Sequence, residues 1–384
     1  MTVMRVERAA SRSLIARPES GHWQAFDIQL AFCALALAVI GLLMAWTNSP
    51  DDPLSPGSTF TRGLMWFAIA IVAFSATAAF DYRWLRTFSW LLYLVNIGLL
   101  LLTLAIGITI NGAQRWVSLA GLTFQFSEIS KVIMIAVLAA YLAARRESLG
   151  KLSTLIGAGL LVAPPFVLVT IQPDLGTALV LVAIVAGALF LSGASLRWMG
   201  LAVGAVLATL PVMWSVLQDY QRRRLLSFLD PTSDPQGAGY QVIQAQIAVG
   251  SGGPFGRGLS NGSHAASDFL PVQSTDFAFA VLLEALGFVG GMVVLLLFVG
   301  LIWRVLVIGW RSDSVLGIAF AGGTAAMLIF QVLVNAGMIA GMMPVTGIPL
   351  PFITHGGASL ISTAIALGLM QSINMRTARP APAW

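Results

Sequence analysis

The chain is poor in charge. It has 16 acidic and 21 basic side chains among 384 residues, 10% charged in all. A soluble domain carries about a quarter, so a soluble globule of this size is excluded. With 58% hydrophobic residues the chain is not disordered either. Cysteine is nearly absent. The single Cys33 lies inside an apolar run, which excludes an intrachain disulfide. There is no Walker A loop, no HExxH and no Cys/His metal cluster, so ATP-driven transport by this chain alone is not expected. Short alternating segments, the mark of a β-barrel, are missing. So is any internal repeat, which speaks against an inverted-repeat transporter. The net charge of +5 sits in short loops between apolar runs, so nucleic acid is not the expected partner.

Apolar runs long enough to cross a bilayer fill the chain. After a polar segment with Arg5, Arg8, Arg12 and Arg17, the first run continues to about Trp46, too long for a signal-peptide core. Further runs lie at about 64–80, 87–110, 127–144, 152–171, 174–193, 196–217, 276–303, 315–341 and 356–375. The expected fold is all-α: a polytopic membrane protein of about ten helices, with an N-terminal segment 1–25, a membrane domain 26–375 and a tail 376–384.

An even count puts both termini on one side. The four N-terminal arginines, Arg83, Arg86, Arg145, Arg146, Lys151, Arg197, Arg304, Arg311, Arg376 and Arg379 share that face, 14 of the 21 basic residues. They mark it as cytoplasmic. The long stretch 218–275 then lies outside, with a short amphipathic helix expected at 239–250 and a glycine-rich turn at 250–258.

Ionisable residues at membrane depth are costly and point to function. Asp276 stands where the long loop becomes the eighth span, as a helix cap or as a general base at the membrane–water boundary. Glu284, two turns deeper, needs a partner or a polar cavity. Glu128 and Lys131 share a helix face, as a neutralising ion pair or as a cavity wall touching an anionic lipid headgroup. Arg115 and Trp116 sit at the outer interface, where Trp also serves as a membrane anchor. Asp174 follows Pro173 and precedes Thr177, the setting of an N-cap. Arg222, Arg223 and Arg224 are a solvated face or a phosphate site, since guanidinium forks match phosphate oxygens. The prolines and glycines of 343–362 mean irregular backbone that must be buried or line a wet cavity. His355 there reads as incidental.

The segments NGAQRW, FSEISK, QPDLGTAL, FLDPTSDPQGAGYQVIQAQIAVGSGGPFGRG, FLPVQSTDFAFAVLLEALGFVGG and PVTGIPLPFITHGGASL together resemble the SEDS family (shape, elongation, division and sporulation). The likeness covers about residues 27–375 and is nearer the RodA branch than the FtsW branch. It implies a peptidoglycan glycosyltransferase that polymerises lipid II into a nascent glycan strand at the outer face of the bacterial cytoplasmic membrane. The implied partners are a class B penicillin-binding protein, the elongation machinery and membrane lipids. The family's catalytic aspartate falls on Asp276, its important tryptophan on Trp116, its Glu/Lys pair on Glu128 and Lys131, and the PDLGTA aspartate on Asp174. Gln273 and Ser274 precede the TDF motif in place of the usual residues. Ala285 replaces the second Glu of a pair, Phe126 replaces a proline, and THGGAS, with Ser359, stands for SYGGSS. Gln273, Glu284 and Ser359 join Arg115, Trp116, Glu128, Lys131, Asp174 and Arg222–Arg224 as expected substrate-binding residues.

A diphosphate leaves readily as an anion, so one carboxylate base can suffice, unlike the two of a glycosidase. Cations must offset the leaving charge. The arginines are candidates, and a divalent ion (Mg or Mn) is the other source, though no ligand signature is present. The competing reading is a flippase or proton-coupled transporter with Glu284, Glu128 and Asp174 as relay groups.

Overall fold

In this computed structural model the described residues are 25–47, 53–55, 57–110, 113–119, 122–216, 222, 226, 228, 230, 238–258, 277–354 and 356–377. Among them run twelve α-helices: α1 (Ile28–Thr47), α2 (Thr59–Ala79), the short α3 (Trp84–Thr87), α4 (Ser89–Ile106), α5 (Phe126–Ala144), α6 (Leu152–Ile171), α7 (Leu175–Leu191), α8 (Leu196–Val216), α9 (Ala238–Gly252), α10 (Ala278–Arg311), α11 (Val315–Ile339) and α12 (Gly357–Thr377). Eight are long and apolar enough to cross a membrane, and α7 and α8 are two further apolar helices. Together they match the ten expected spans.

The bundle is built around α5, α11 and α12, which bury most of their residues, while α2 and α4 expose theirs. That division suits a bilayer, where an apolar exterior is solvated by lipid and polar groups must turn inward. The inner helices carry Ser130, Lys131, Thr324, Gln331, Asn335 and Gln371, all buried. Close packing rests on small residues. Where α7 crosses α11, a Cβ on Gly187 would lie 2.5 Å from the Gly322 carbonyl oxygen, and one on Gly322 would lie 2.4 Å from that of Gly187.

Helix starts are fixed by local chemistry. Asp27 accepts from the Leu30 N–H (2.9 Å) at the start of α1 and also takes the guanidinium of Arg304 on α10 (Nε–Oδ2 3.0 Å). Ser58 accepts from Thr61 N–H (3.1 Å) and Ser314 from Gly317 N–H (3.1 Å), each satisfying an orphan donor.

Two boundaries differ from expectation. The run 87–110 is not one helix: α4 ends at Ile106, Gly107 turns extended (φ −63°, ψ 143°), and strand β1 (Ile108–Ile110) follows. β1 pairs antiparallel with β2 (Ala113–Leu119), which pairs with β3 (Leu122–Phe124), so a three-stranded sheet joins α4 to α5. Apolar β-branched residues satisfy a strand and a span equally well, and composition could not separate them. The Gln114 side-chain amide holds the junction by donating to the carbonyls of Gly107 (2.9 Å) and Leu104 (3.2 Å). The eighth span, in turn, runs on to Arg311 instead of ending near 303.

α10 is also broken. Gly287 (φ 69°, ψ −172°) interrupts it in a region essentially reserved for glycine. The break frees the carbonyls of Glu284 and Ala285 and the N–H groups of Phe288 and Val289. The glycine-rich turn after α9 takes up all four. Arg257 and Gly258 donate to Glu284 and Ala285 (both 3.0 Å), while Phe288 and Val289 donate to Gly253 (2.9 Å) and Pro254 (3.0 Å). The expected amphipathic helix and turn are thus present, and the turn substitutes for one turn of its neighbour.

Candidate active site

The chain alternates direction, so the starts of α5, α7, α10 and α12 lie at one end of the bundle, under the β-hairpin. Asp174 is 1% exposed there. One carboxylate oxygen, Oδ2, accepts from Gln125 Nε2 (2.7 Å) and Ser127 Oγ (3.0 Å). The other, Oδ1, accepts from Thr177 N–H (3.3 Å) and faces the Arg115 guanidinium at 3.7 Å. The N-cap and the charged site are therefore one object: Asp174 starts α7 and ties strand β2 and the head of α5 to it. Arg115 Nε is buried with no hydrogen-bond partner, while the side chain as a whole is 26% exposed. Trp116 follows on β2, half-buried and opposite Ile108.

Next along α5, Lys131 Nζ donates to Glu128 Oε2 at 2.7 Å, with both side chains 2% exposed. The ion pair, one of the two readings of these residues, is present, and Glu128 Oε1 has no hydrogen-bond partner. Such a pair recovers its desolvation cost only through close geometry and hydrogen bonds to its remaining atoms; the 2.7 Å contact supplies the first, and Oε1 lacks the second. Phe124 and Phe126 pack edge-on (centroids 5.4 Å), and Trp66 of α2 lies 6.5 Å from Phe124, walling this end with aromatic rings.

Glu284 sits at the break in α10. It is 1% exposed, with Oε1 4.0 Å from Arg257 Nη1 and Oε2 without a partner. The partner it needed comes from the glycine-rich turn. Ser359, on the first turn of α12, is buried with a hydroxyl that has no hydrogen-bond partner. Arg222 lies in helical backbone and is half-buried. Asp276, Gln273, Arg223, Arg224 and His355 lie outside the described residues. Phe277, which follows Asp276, is buried and stands at the N-cap of α10. Among the described residues no three His, Cys, Asp or Glu side chains come together as a metal site.

The structure thus joins Arg115 to Asp174, Glu128 to Lys131 and Glu284 to Arg257. Sequence reasoning missed Gln125 and Ser127, the neutral donors to Asp174. Their signal was modest: two polar residues flanking Phe126 at the head of an apolar run. It also missed the tie from Arg257 to Glu284, because the residues are far apart in sequence.

A helical membrane bundle that gathers buried charge under a hairpin at one end defines a class of polytopic membrane protein with a polar site at the membrane boundary. The chain belongs to the FtsW/RodA/SpoVE family, whose model, described as "Cell cycle protein", matches residues 28–379. It is 39% identical over 350 residues to the peptidoglycan glycosyltransferase MrdB of Escherichia coli K12, covering 91% of this chain and 93% of MrdB. It is 35% identical over 363 residues to the stage V sporulation protein E of Bacillus subtilis, covering 91% and 96%. Among solved structures it is similar to a chain of a peptidoglycan synthase complex that coordinates polymerization and crosslinking (34% identity, TM-score 0.78, covering 92% of this chain and 99% of that one). It is also similar to the rod shape determining protein RodA of Thermus thermophilus (27% identity, TM-score 0.67, covering 93% and 99%).

Proposed function

We propose that this chain is a peptidoglycan glycosyltransferase that polymerises lipid II into glycan strands at the outer face of the bacterial cytoplasmic membrane, with both termini cytoplasmic. The observation that carries the reading is the Arg115–Asp174 pair, a partly exposed guanidinium 3.7 Å from a buried carboxylate, at the end of the bundle where α10 begins just after Asp276. A cation held by one carboxylate suits an anionic diphosphate.

In the proposed step the acceptor sugar hydroxyl attacks the anomeric carbon of the donor. The new C–O bond forms as the bond to the polyprenyl diphosphate breaks, and its electron pair leaves with the diphosphate. Asp276 takes the hydroxyl proton. Arg115, with Arg222, Arg223 and Arg224, offsets the leaving charge, and Trp116, Gln273 and Ser359 bind substrate. Holding two lipid-anchored substrates side by side supplies proximity. Glu128 and Asp174 are engaged by a lysine and by several donors, an arrangement for holding shape rather than for relaying protons. A class B penicillin-binding protein receives the strand for crosslinking.

The test is polymer formation. The purified chain, with and without a class B penicillin-binding protein, is incubated with lipid II and the products are resolved on a gel. A ladder of glycan strands supports the reading. Unconverted lipid II under both conditions would sink it.

A further inference from the structure

The opposite end of the bundle carries a second polar site. The ends of α5 and α12 and the starts of α6 and α11 surround a basin of about 1170 Å³. α5 has 19 residues, so the basin lies about 28 Å along that helix from the Glu128 end, close to the thickness of a hydrocarbon core.

Six cations line the basin against two carboxylates, Glu147 and Asp313. Three of the cations are already engaged. Arg376 lies 3.7 Å from Asp81 and donates to Ser372 Oγ (2.8 Å) and the Ala79 carbonyl (2.6 Å). Arg146 meets Glu147 at 4.0 Å, and Arg145 lies over the Tyr141 ring at 4.1 Å. Arg83, Arg86 and Lys151 are exposed, and among the described residues their side chains meet no carboxylate. Beside these cations is a neutral hydrogen-bonding group: Tyr82, 3% exposed, whose hydroxyl lies 3.3 Å from Ser314 Oγ. Free cations beside hydroxyls make a phosphate-binding set.

The position of the mouth suggests the source of the phosphate. Arg83 and Arg86 flank and enter α3, whose Trp84 stacks on Phe88 (5.7 Å), and Trp84, Phe88 and Trp90 are all exposed. Exposed aromatics at this depth sit at headgroup level, so the free arginines border lipid. By charge the flanking segments are poor occupants: residues 1–24 hold four arginines against Glu7 and Glu19, and residues 378–384 hold Arg379 and no Asp or Glu.

We propose that this basin binds the phosphate of an anionic phospholipid headgroup in the leaflet opposite the candidate active site. The site stands independently of the glycosyl-transfer reading.

The test uses the full chain in phosphatidylcholine nanodiscs doped with phosphatidylglycerol, with retained lipid counted by native mass spectrometry. The wild type keeps phosphatidylglycerol over phosphatidylcholine. Arg86→Gln and Lys151→Gln, which touch no buried contact, each weaken retention about fivefold, and the triple exchange with Arg83→Gln about a hundredfold. Arg197→Gln removes an exposed cation outside the basin and leaves retention unchanged. Three results would each overturn the proposal. They are wild-type retention by the triple variant, an equal loss in Arg197→Gln, and displacement of the lipid by equimolar inorganic phosphate. The last would assign the basin to a soluble anion.

Discussion

Removing one partner of the Glu128–Lys131 pair is the most demanding perturbation of the site. Both side chains are 2% exposed and 2.7 Å apart. Lys131→Met fills much of the same volume but strands a carboxylate whose other oxygen already has no hydrogen-bond partner. Breaking a buried pair in this way costs about 3–5 kcal/mol, whereas replacing both members is often neutral or better. The expected order in a denaturant titration of micelle-held protein is therefore Lys131→Met far below wild type, and Glu128→Gln/Lys131→Met recovering at least ~2 kcal/mol of the loss. The stable double variant then separates shape from chemistry. If the pair also binds substrate, as expected from the sequence, the double variant folds yet polymerises lipid II poorly. Loss of less than ~1 kcal/mol in Lys131→Met, a tenth or so of a typical folding free energy, would refute the view that this pair is buried and mutually dependent.

Further outcomes follow from single contacts. Gly287→Ala places a Cβ 2.2 Å from the Gly256 nitrogen at a backbone geometry that L residues avoid; it should cost about 3 kcal/mol or more and loosen α9 from α10, read as increased proteolysis at 250–258. Ser127→Ala deletes one donor to Asp174 and should cost about 2 kcal/mol, while Ser127→Thr keeps the hydroxyl and most of the stability in the same unfolding assay. Arg304→Met strands the Asp27 carboxylate, 5% exposed, and should cost about 3 kcal/mol; Asp27→Asn in the same background restores part of it.

What the sequence made legible was set by how local each signal is. Apolar runs, caps and the i,i+3 ion pair depend on neighbouring residues, so the helical membrane fold, the Asp174 cap and the Glu128–Lys131 pair were all readable. The hairpin at 108–124 was not, because Ile108–Ile110 continues an apolar run with no intervening polar break. The break at Gly287 was hidden for a different reason. LEALGFVGG reads as ordinary membrane helix, and only the distant glycine-rich turn supplies the hydrogen bonds that make a break tolerable. The Gln125–Ser127–Asp174 web likewise joins residues 47 and 49 positions apart, a distance at which single-chain patterning carries no information. The family resemblance gave the pairings of motif to role, while the structure gave the contacts among Arg115, Gln125, Ser127 and Asp174.

The central claim is that a carboxylate at position 276 takes the proton of the attacking sugar alcohol. Its most direct measurement is the rate of strand growth from purified lipid II by Asp276→Asn, with lipid II binding measured on the same preparation. The amide is isosteric and cannot accept that proton, so polymerisation should fall by at least about a hundredfold while binding stays near wild type. Strand growth at near-normal rate would contradict the account.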